Sequence, residues 1–273
     1  MANTKRMRPL LGTFVEIGVY IGDVPEHAIN AAFEAIEKVQ ALMSFHDSNS
    51  DLSKLNQADG KEVTLHPHSM RVLRLARTMT FASGSLFNCT VGGALVRLGV
   101  LPNHGAGSWL DYGKAEDIEL HGNKARLRRA VHVTLDGIAK GYAVDCAILA
   151  MKRHGVLAGW VNAGGDLRVF GDITMPVQRR ELDGMYSALG GLRDAAIATT
   201  SVRASPDASF PAWVVADSLS PEVGTWSVMA RHAWRADALT KVASLADSTK
   251  RKQLIERLGG KLITPSMETN LCA

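Results

Sequence analysis

Residues 135–171 read LDGIAKGYAVDCAILAMKRHGVLAGWVNAGGDLRVFG, and this stretch decides the class of fold. Its middle has helical spacing. Ala139, Val144, Ile148 and Met151 supply apolar contacts, predicting a helix over 138–154 that Gly155 ends. After it, GWVNAGGDLRVFG (159–171) reads as an apolar strand segment interrupted by Gly164 and Gly165. Two adjacent glycines weaken a strand, so they point to a bulge or to a closely approaching ligand. Before the helix, Asp136-Gly137-Ile138-Ala139-Lys140-Gly141 places two glycines and a lysine at a strand-to-helix transition. Free amides in a first helical turn receive phosphate oxygens, and Lys140 adds a mobile positive charge. A plain glycine turn, with Asp136 as a cap and Lys140 on the surface, is the competing reading. Both glycine clusters adjoin the same helix and converge on a phosphate-bearing, nucleotide-like ligand. Asn162 would bond its phosphate or a ring edge, or else brace the turn.

Working outward, LLGTFVEIGVY (10–20) reads as a strand. Pro25 then opens a helix to about Leu42, with Ala28, Ile29, Ala32, Phe33, Ile36, Val39 and Met43 on one stripe. A polar stretch able to cap or turn follows, and a second helix starts after His66 and Pro67. The glycine-rich segment 83–108 predicts tight turns. Residues 117–120 and 125–135 read as short strands about the turn at Gly122. Beyond 171, Pro176 and the pair Arg179–Arg180 read as loop, followed by another glycine cluster. AAIATTSV (195–202), AWVVAD (212–217) and TWSVMARHAW (225–234) are strand candidates, and 236–246 and 248–258 are the last two helices. No internal repeat is evident. The order excludes a helical bundle, a plain β-sandwich and a regular βαβ series. No GxGxxG follows the first strand, so a Rossmann domain is unsupported. One compact α+β domain of mixed strands and helices over 1–273 fits best.

A formal charge of +4 and a pI near 9.0 suit an anionic ligand. Lys and Arg are scattered and aromatics few, which argues against nucleic acid. Cys89, Cys146 and Cys272 are too widely spaced for a disulfide framework or a zinc motif, and their odd number suits a reducing compartment. The basic N-terminus has no signal-peptide run or lipidation cysteine. No stretch is apolar enough to span a membrane, so a complete chain is expected to be cytoplasmic. GxSxG, HExxH, Walker A and CxxC motifs are absent.

A third segment is Arg235-Ala236-Asp237-Ala238-Leu239-Thr240-Lys241. Asp237 lies near a helix start, as a cap or as a ligand for a hard cation that bridges phosphates. Thr240 is a second oxygen ligand or an ordinary helical threonine. His232 reads as an exposed strand histidine, and neither it nor the other histidines is paired by sequence with an orienting acid.

Taken in order, these blocks resemble the ApbE family, the flavin transferases that attach FMN to proteins. The matching parts are LGTF (11–14), MSF (43–45) with SDLSKLN (50–56), GSLFNCTVG (84–92), DGIAKGYAVD (136–145), NAGGDLRVFG (162–171), ATTS (198–201) and ADALT (236–240). The resemblance implies an ApbE-like α+β fold that takes FAD with Mg²⁺. It also implies cleavage of the pyrophosphate and transfer of FMN to a threonine or serine hydroxyl of an acceptor flavoprotein. By the same resemblance, the Ala139 carbonyl, Asp237 and Thr240 would hold Mg²⁺. Met43, Ser44, Gly84, Phe87, Asn88, Thr90, Asp136, Lys140, Asn162, Gly164, Gly165 and Asp166 would shape the FAD site.

Three positions depart from the family pattern. Its His-x-x-Asp-Pro-x-x-Gly block corresponds here to DSLSPEVG (217–224), which puts Asp217 where the catalytic histidine stands. The Asp-x-Gly-Gly usually found before IAKG is replaced by a pattern with Thr134 and Asp136. The metal-binding threonine four residues after the aspartate is replaced by Lys241, whose ammonium would weaken Mg²⁺ binding or partly substitute for its charge. The expected activity is therefore FMN transfer. A weakly active or inactive FAD-binding module and an FAD pyrophosphatase are the alternatives.

Overall fold

The computed structural model describes residues 3–20, 26–104, 108–204, 213–264 and 270–272. Strands β1 (Asn3–Leu10) and β2 (Thr13–Tyr20) form a hairpin that leads to α1 (Glu26–Met43). The stripe buried on α1 is the one read from spacing, while Pro25 lies outside the described residues. Next come α2 (Asp51–Asn56), β3 (Val63–Thr64), α3 (Pro67–Ala82) and α4 (Gly92–Arg97). The short strands β4 (Ile118–His121) and β5 (Lys124–Leu127) precede α5 (Ala139–Arg153). Strands β6 (Ala158–Ala163), β7 (Asp166–Phe170), β8 (Met175–Arg180), β9 (Tyr186–Arg193), β10 (Ala196–Val202) and β11 (Gly224–Ala230) follow. The chain closes with α6 (Ala233–Leu245), α7 (Arg251–Arg257), β12 (Gly260–Ile263) and β13 (Asn270–Cys272).

The main sheet has the order β1-β2-β6-β7-β10-β11-β12, with every neighbouring pair antiparallel. This is the α+β class expected. The period-2 alternation of its strands supplies two cores. Val161, Ala163, Ala196, Ala198, Val228 and Ala230 pack into the larger core with α1, α5 and α6. Trp160, Val169, Ile197 and Met229 face the other way, against Val177, Leu189 and Leu192. Those last three come from a second sheet, β13-β9-β8.

Several sequence expectations are corrected here. The Pro176–Arg180 segment is strand β8, because Val177 alternates into the second core; its partner β9 runs through the glycine cluster. Trp213–Asp217 form no strand, and Ala212 lies outside the described residues. The expected strand over 125–135 ends at Leu127, and Val131 keeps only an isolated bridge to Leu110. Segment 159–171 is a hairpin rather than one strand. Gly164 (φ 60°) and Gly165 (φ 102°) form its two-residue turn, a backbone that β-branched or bulky residues resist. The final helices are shifted: Ala233 and Trp234 belong to α6, and His232 is its N-cap rather than a strand residue. Residues 51–56, read as polar coil, form α2, capped by the Ser50 hydroxyl accepting from the Ser53 amide.

What places α6 on α5 is a single carboxylate. His232 makes no side-chain cap, yet the amides of Ala233 and Trp234 donate to the two Asp145 oxygens at 3.0 and 3.1 Å. Asp145 sits on α5, so one helix caps the other, and Arg168 of β7 pairs with the same carboxylate. Gly141, one turn earlier, lets the backbones meet: a Cβ there would lie 2.3 Å from the Ala233 carbonyl oxygen. The obstacle is main chain and cannot rotate away. Gly141→Ala is expected to destabilise the protein by about 2–4 kcal/mol, since forced overpacking costs about 1–3 and the α6 cap shifts with it. Denaturant titration checks this; a loss below about 0.5 kcal/mol would show that the two helices are not locked at this point.

Candidate functional site

Four of the sequence-nominated residues meet where α5, α6 and the β6–β7 turn converge. Asp237 occupies the second turn of α6 with no exposure, so it is not the helix cap. One of its carboxylate oxygens accepts the Gly141 amide at 3.3 Å, and the other lies 2.5 Å from the Lys241 ammonium. The N-terminus of α5 therefore already receives an anion, the protein's own Asp237. The amides of Ile138 and Ala139 are also engaged, both donating to the Leu135 carbonyl. The glycine turn thus holds a carboxylate with the amide that the sequence suggested for phosphate.

Lys140 extends from the first turn of α5 to within 3.5 Å of Asp166, which is almost fully buried in the first position of β7. Burial raises the Asp166 carboxyl, and the Asp237 charge raises it further, while Lys140 pulls it down. The Lys140 ammonium is raised in turn, chiefly by Asp166, with Asp237 and Asp136 adding to the effect. At 3.5 Å the near Asp166 oxygen makes no close hydrogen bond with Lys140, so the pairing is chiefly Coulombic. Asp136 reaches solvent, yet its carboxyl is raised mainly by loss of solvation, against a Thr134 hydroxyl that donates at 3.1 Å. Asp136 thus marks the solvent-facing side of the junction of α5, α6 and the hairpin, a shallow recess above the buried Asp166 and Asp237. Lys140, about one-third exposed, shares that recess, and the His46 charge reaches Asp136 from the loop after α1.

Phe87 closes one side, since a Cβ on Gly137 would lie 3.2 Å from its ring and 3.4 Å from Lys241 Cε. The other nominated residues are held by internal bonds. Asn88 donates to the Gly113 carbonyl at 3.1 Å and accepts from the amide and hydroxyl of buried Thr90 at 2.8 and 2.6 Å. Asn162 accepts the Gly165 amide at 3.1 Å, bracing the hairpin. A Cβ on Gly164 would meet the Thr13 hydroxyl at 2.6 Å, which joins the LGTF and NAGGD segments in space. Met43 is core, Ser44 accepts the Asp47 amide at 3.3 Å, and Gly84 (φ 62°) is an exposed turn residue.

Asp217 is exposed on the segment before β11 and makes no hydrogen bond or ion pair with the described residues; its charge is felt by Tyr112. The Thr240 hydroxyl donates to the Asp237 carbonyl at 2.7 Å and so accepts from the Thr200 hydroxyl, also at 2.7 Å. Among the described residues no three His, Cys, Asp or Glu side chains assemble as a metal-binding group. No described helix is long and apolar enough to cross a membrane.

Sequence reading underrated two residues. Lys241 stands four positions after Asp237, the spacing of a helical ion pair, so its pairing was legible. Asp145 had no local signal, because the amides it caps lie 88 and 89 residues away. The histidines also find partners that sequence could not supply. His68 Nδ1 lies 2.7 Å from the Tyr142 hydroxyl, and His132 stacks on Trp109 with centroids 4.9 Å apart.

An antiparallel sheet backed by α1, α5 and α6, with carboxylates and ammonium groups gathered at the α5–α6–hairpin junction, defines an ApbE-like α+β protein. The chain belongs to the ApbE family, whose model matches residues 11–205. It is similar in fold to the flavinyl transferase ApbE of Pseudomonas stutzeri in its apo form, at 17% identity and a TM-score of 0.79, covering 97% of this chain and 95% of that one. The flavin transferase ApbE of Vibrio cholerae shares 18% identity at a TM-score of 0.78, with 97% of both chains covered. An ApbE protein of Thermotoga maritima shares 20% at 0.79, again over 97% of each. A comparison with curated proteins returns no match.

The Lys140–Asp166 pair gives a direct test. Lys140→Met is expected to destabilise the protein by about 1–3 kcal/mol near neutral pH, less than for a wholly buried pair because the lysine is about one-third exposed. An acid with a raised folded pKa is unpenalised below its unfolded pKa, and the penalty grows as pH rises through the folded one. The deficit should therefore shrink between about pH 8 and about pH 5, and Asp166→Asn should relieve it. A pH-independent deficit, followed by chemical denaturation, would refute the pairing.

Proposed function

We propose that this protein transfers the FMN half of FAD to a threonine or serine hydroxyl of an acceptor protein and releases AMP. The observation that carries the reading is the recess itself: Asp136, Lys140, Asp166 and Asp237, from three separate segments of the chain, share one electrostatic neighbourhood beside Phe87. Family membership supports it, as do two structural neighbours that are named flavin transferases.

In the reaction the acceptor oxygen attacks the phosphorus on the flavin side. A phosphoester bond forms, the bond from that phosphorus to the bridging oxygen breaks, and AMP leaves with that oxygen. The chain's part is charge stabilisation and positioning: Lys140, already oriented by Asp166, faces the charge that develops on the phosphates. The hydroxyl proton needs an acceptor. Asp217, exposed and at the sequence position of the family's histidine, takes that role.

The resemblance also implies Mg²⁺ on the Ala139 carbonyl, Asp237 and Thr240. The donors do not suit it as arranged. The Asp237 oxygens hold the Lys241 ammonium and the Gly141 amide, and the Thr240 proton is given to the Asp237 carbonyl. No step is therefore assigned to a metal.

The test is incubation of the protein with FAD and a threonine-bearing acceptor peptide, read by mass spectrometry. The peptide is expected to gain one FMN while AMP appears. Free FMN with AMP would mean hydrolysis, and intact bound FAD would mean a binding module. Asp217→Asn should lower the transfer rate by about 10²–10⁴-fold, the usual worth of a positioned base, with FAD affinity unchanged. An unchanged rate would remove Asp217 from the chemistry.

A further inference from the structure

Asp237 is fully buried, and a carboxylate there needs a cation. Lys241 supplies it from the next turn of the same helix. Its ammonium lies 2.5 Å from one carboxylate oxygen and 3.3 Å from the Asp237 carbonyl, so two oxygens of one residue are spanned at once. The stem runs beneath Gly137, where a Cβ would touch its Cε at 3.4 Å. The side chain is not sealed: it keeps 20% of its surface open to solvent. Its charge also reaches Asp166. An ammonium bonded to a carboxylate and a carbonyl, with its charge also acting on Asp166, occupies the electrostatic place of a bound cation.

The geometry points to Lys241 as a covalently attached replacement for the divalent cation, so that this chain binds the FAD pyrophosphate without a metal. This rests on the FAD reading above and adds a specific claim about cation use. The three carboxylates of the recess, Asp136, Asp166 and Asp237, are opposed by two lysines, Lys140 and Lys241. Removing the Lys241 charge leaves a deficit that a divalent ion can fill, and a threonine at that position adds an oxygen donor one turn from Asp237. Lys241→Thr should therefore convert a metal-independent protein into a metal-dependent one.

The experiment measures FAD affinity by quenching of flavin fluorescence, in EDTA and in Mg²⁺, with melting temperatures followed in the same two buffers without FAD. Wild type is expected to bind FAD with affinities within about twofold in the two buffers and to show no Mg²⁺-dependent melting shift. Lys241→Thr should lose about tenfold or more in EDTA, regain affinity in Mg²⁺, and melt higher with Mg²⁺ alone. Lys241→Arg, which keeps the charge, should still bind in EDTA. Wild-type binding that requires Mg²⁺ would overturn the inference and leave the proposed function standing, as would a Lys241→Thr variant indifferent to Mg²⁺. No FAD binding by wild type in either buffer would overturn both.

Discussion

The carboxylate of Asp145 is the contact on which the rest of this molecule depends. It takes the first two amides of α6, pairs with Arg168 on β7, and belongs to α5, so three elements are joined at one side chain. A helix N-terminus leaves several amides unsatisfied, and a buried end without partners is costly. His232 precedes α6 without capping it, which leaves the work to Asp145. The position of α6 is thus set from outside the helix. Asp237, Thr240 and Lys241 ride on it, so the recess inherits its geometry from a residue that does not line it.

Gly141 makes that arrangement sterically possible, and its amide has a second use. With no side chain, α5 approaches the start of α6 closely enough for the Gly141 amide to reach Asp237. The positive end of α5 then stabilises a carboxylate from α6, and Lys241 completes the neutralisation. Asp166 follows the same logic on the hairpin side, buried and answered by Lys140. Two acids of the recess, Asp166 and Asp237, are buried, and each is matched by a lysine that retains some exposure. Such a site stays charged without being dry. That is the condition under which a phosphate diester can enter and find cations already in place.

Much of this was legible in the chain. The α1 stripe and the helix after IAKG followed from spacing, and the family resemblance nominated Asp136, Lys140, Asp166 and Asp237, whose meeting point only the fold supplies. What was not legible has physical causes. Strands β8 and β9 were obscured by Pro176, paired arginines and glycines, because their burial depends on Val177, Leu189 and Leu192 meeting a distant sheet face. The Gly164–Gly165 pair read as a bulge or a close approach of ligand; the fold adds a two-residue hairpin turn with positive φ and contact with Thr13. Trp213–Asp217 looked like a strand by composition alone and pairs with no strand among the described residues.

The register of α6 shows why one residue of displacement matters at its centre. A helix turns about 100° per residue, so the third residue after Asp237 lies about 60° to one side of it and the fourth about 40° to the other. Thr240, the third, turns into the protein toward Thr200 on β10, and its proton returns to the helix backbone. Lys241, the fourth, turns toward the recess and spans the Asp237 oxygens. A hydroxyl at the fourth position would face the same carboxylate as a neutral donor and leave room for a cation between them. The ammonium is that cation, already bonded to the chain. The identity of one side chain at the fourth position therefore decides whether the charge in this recess comes from solution or from the protein.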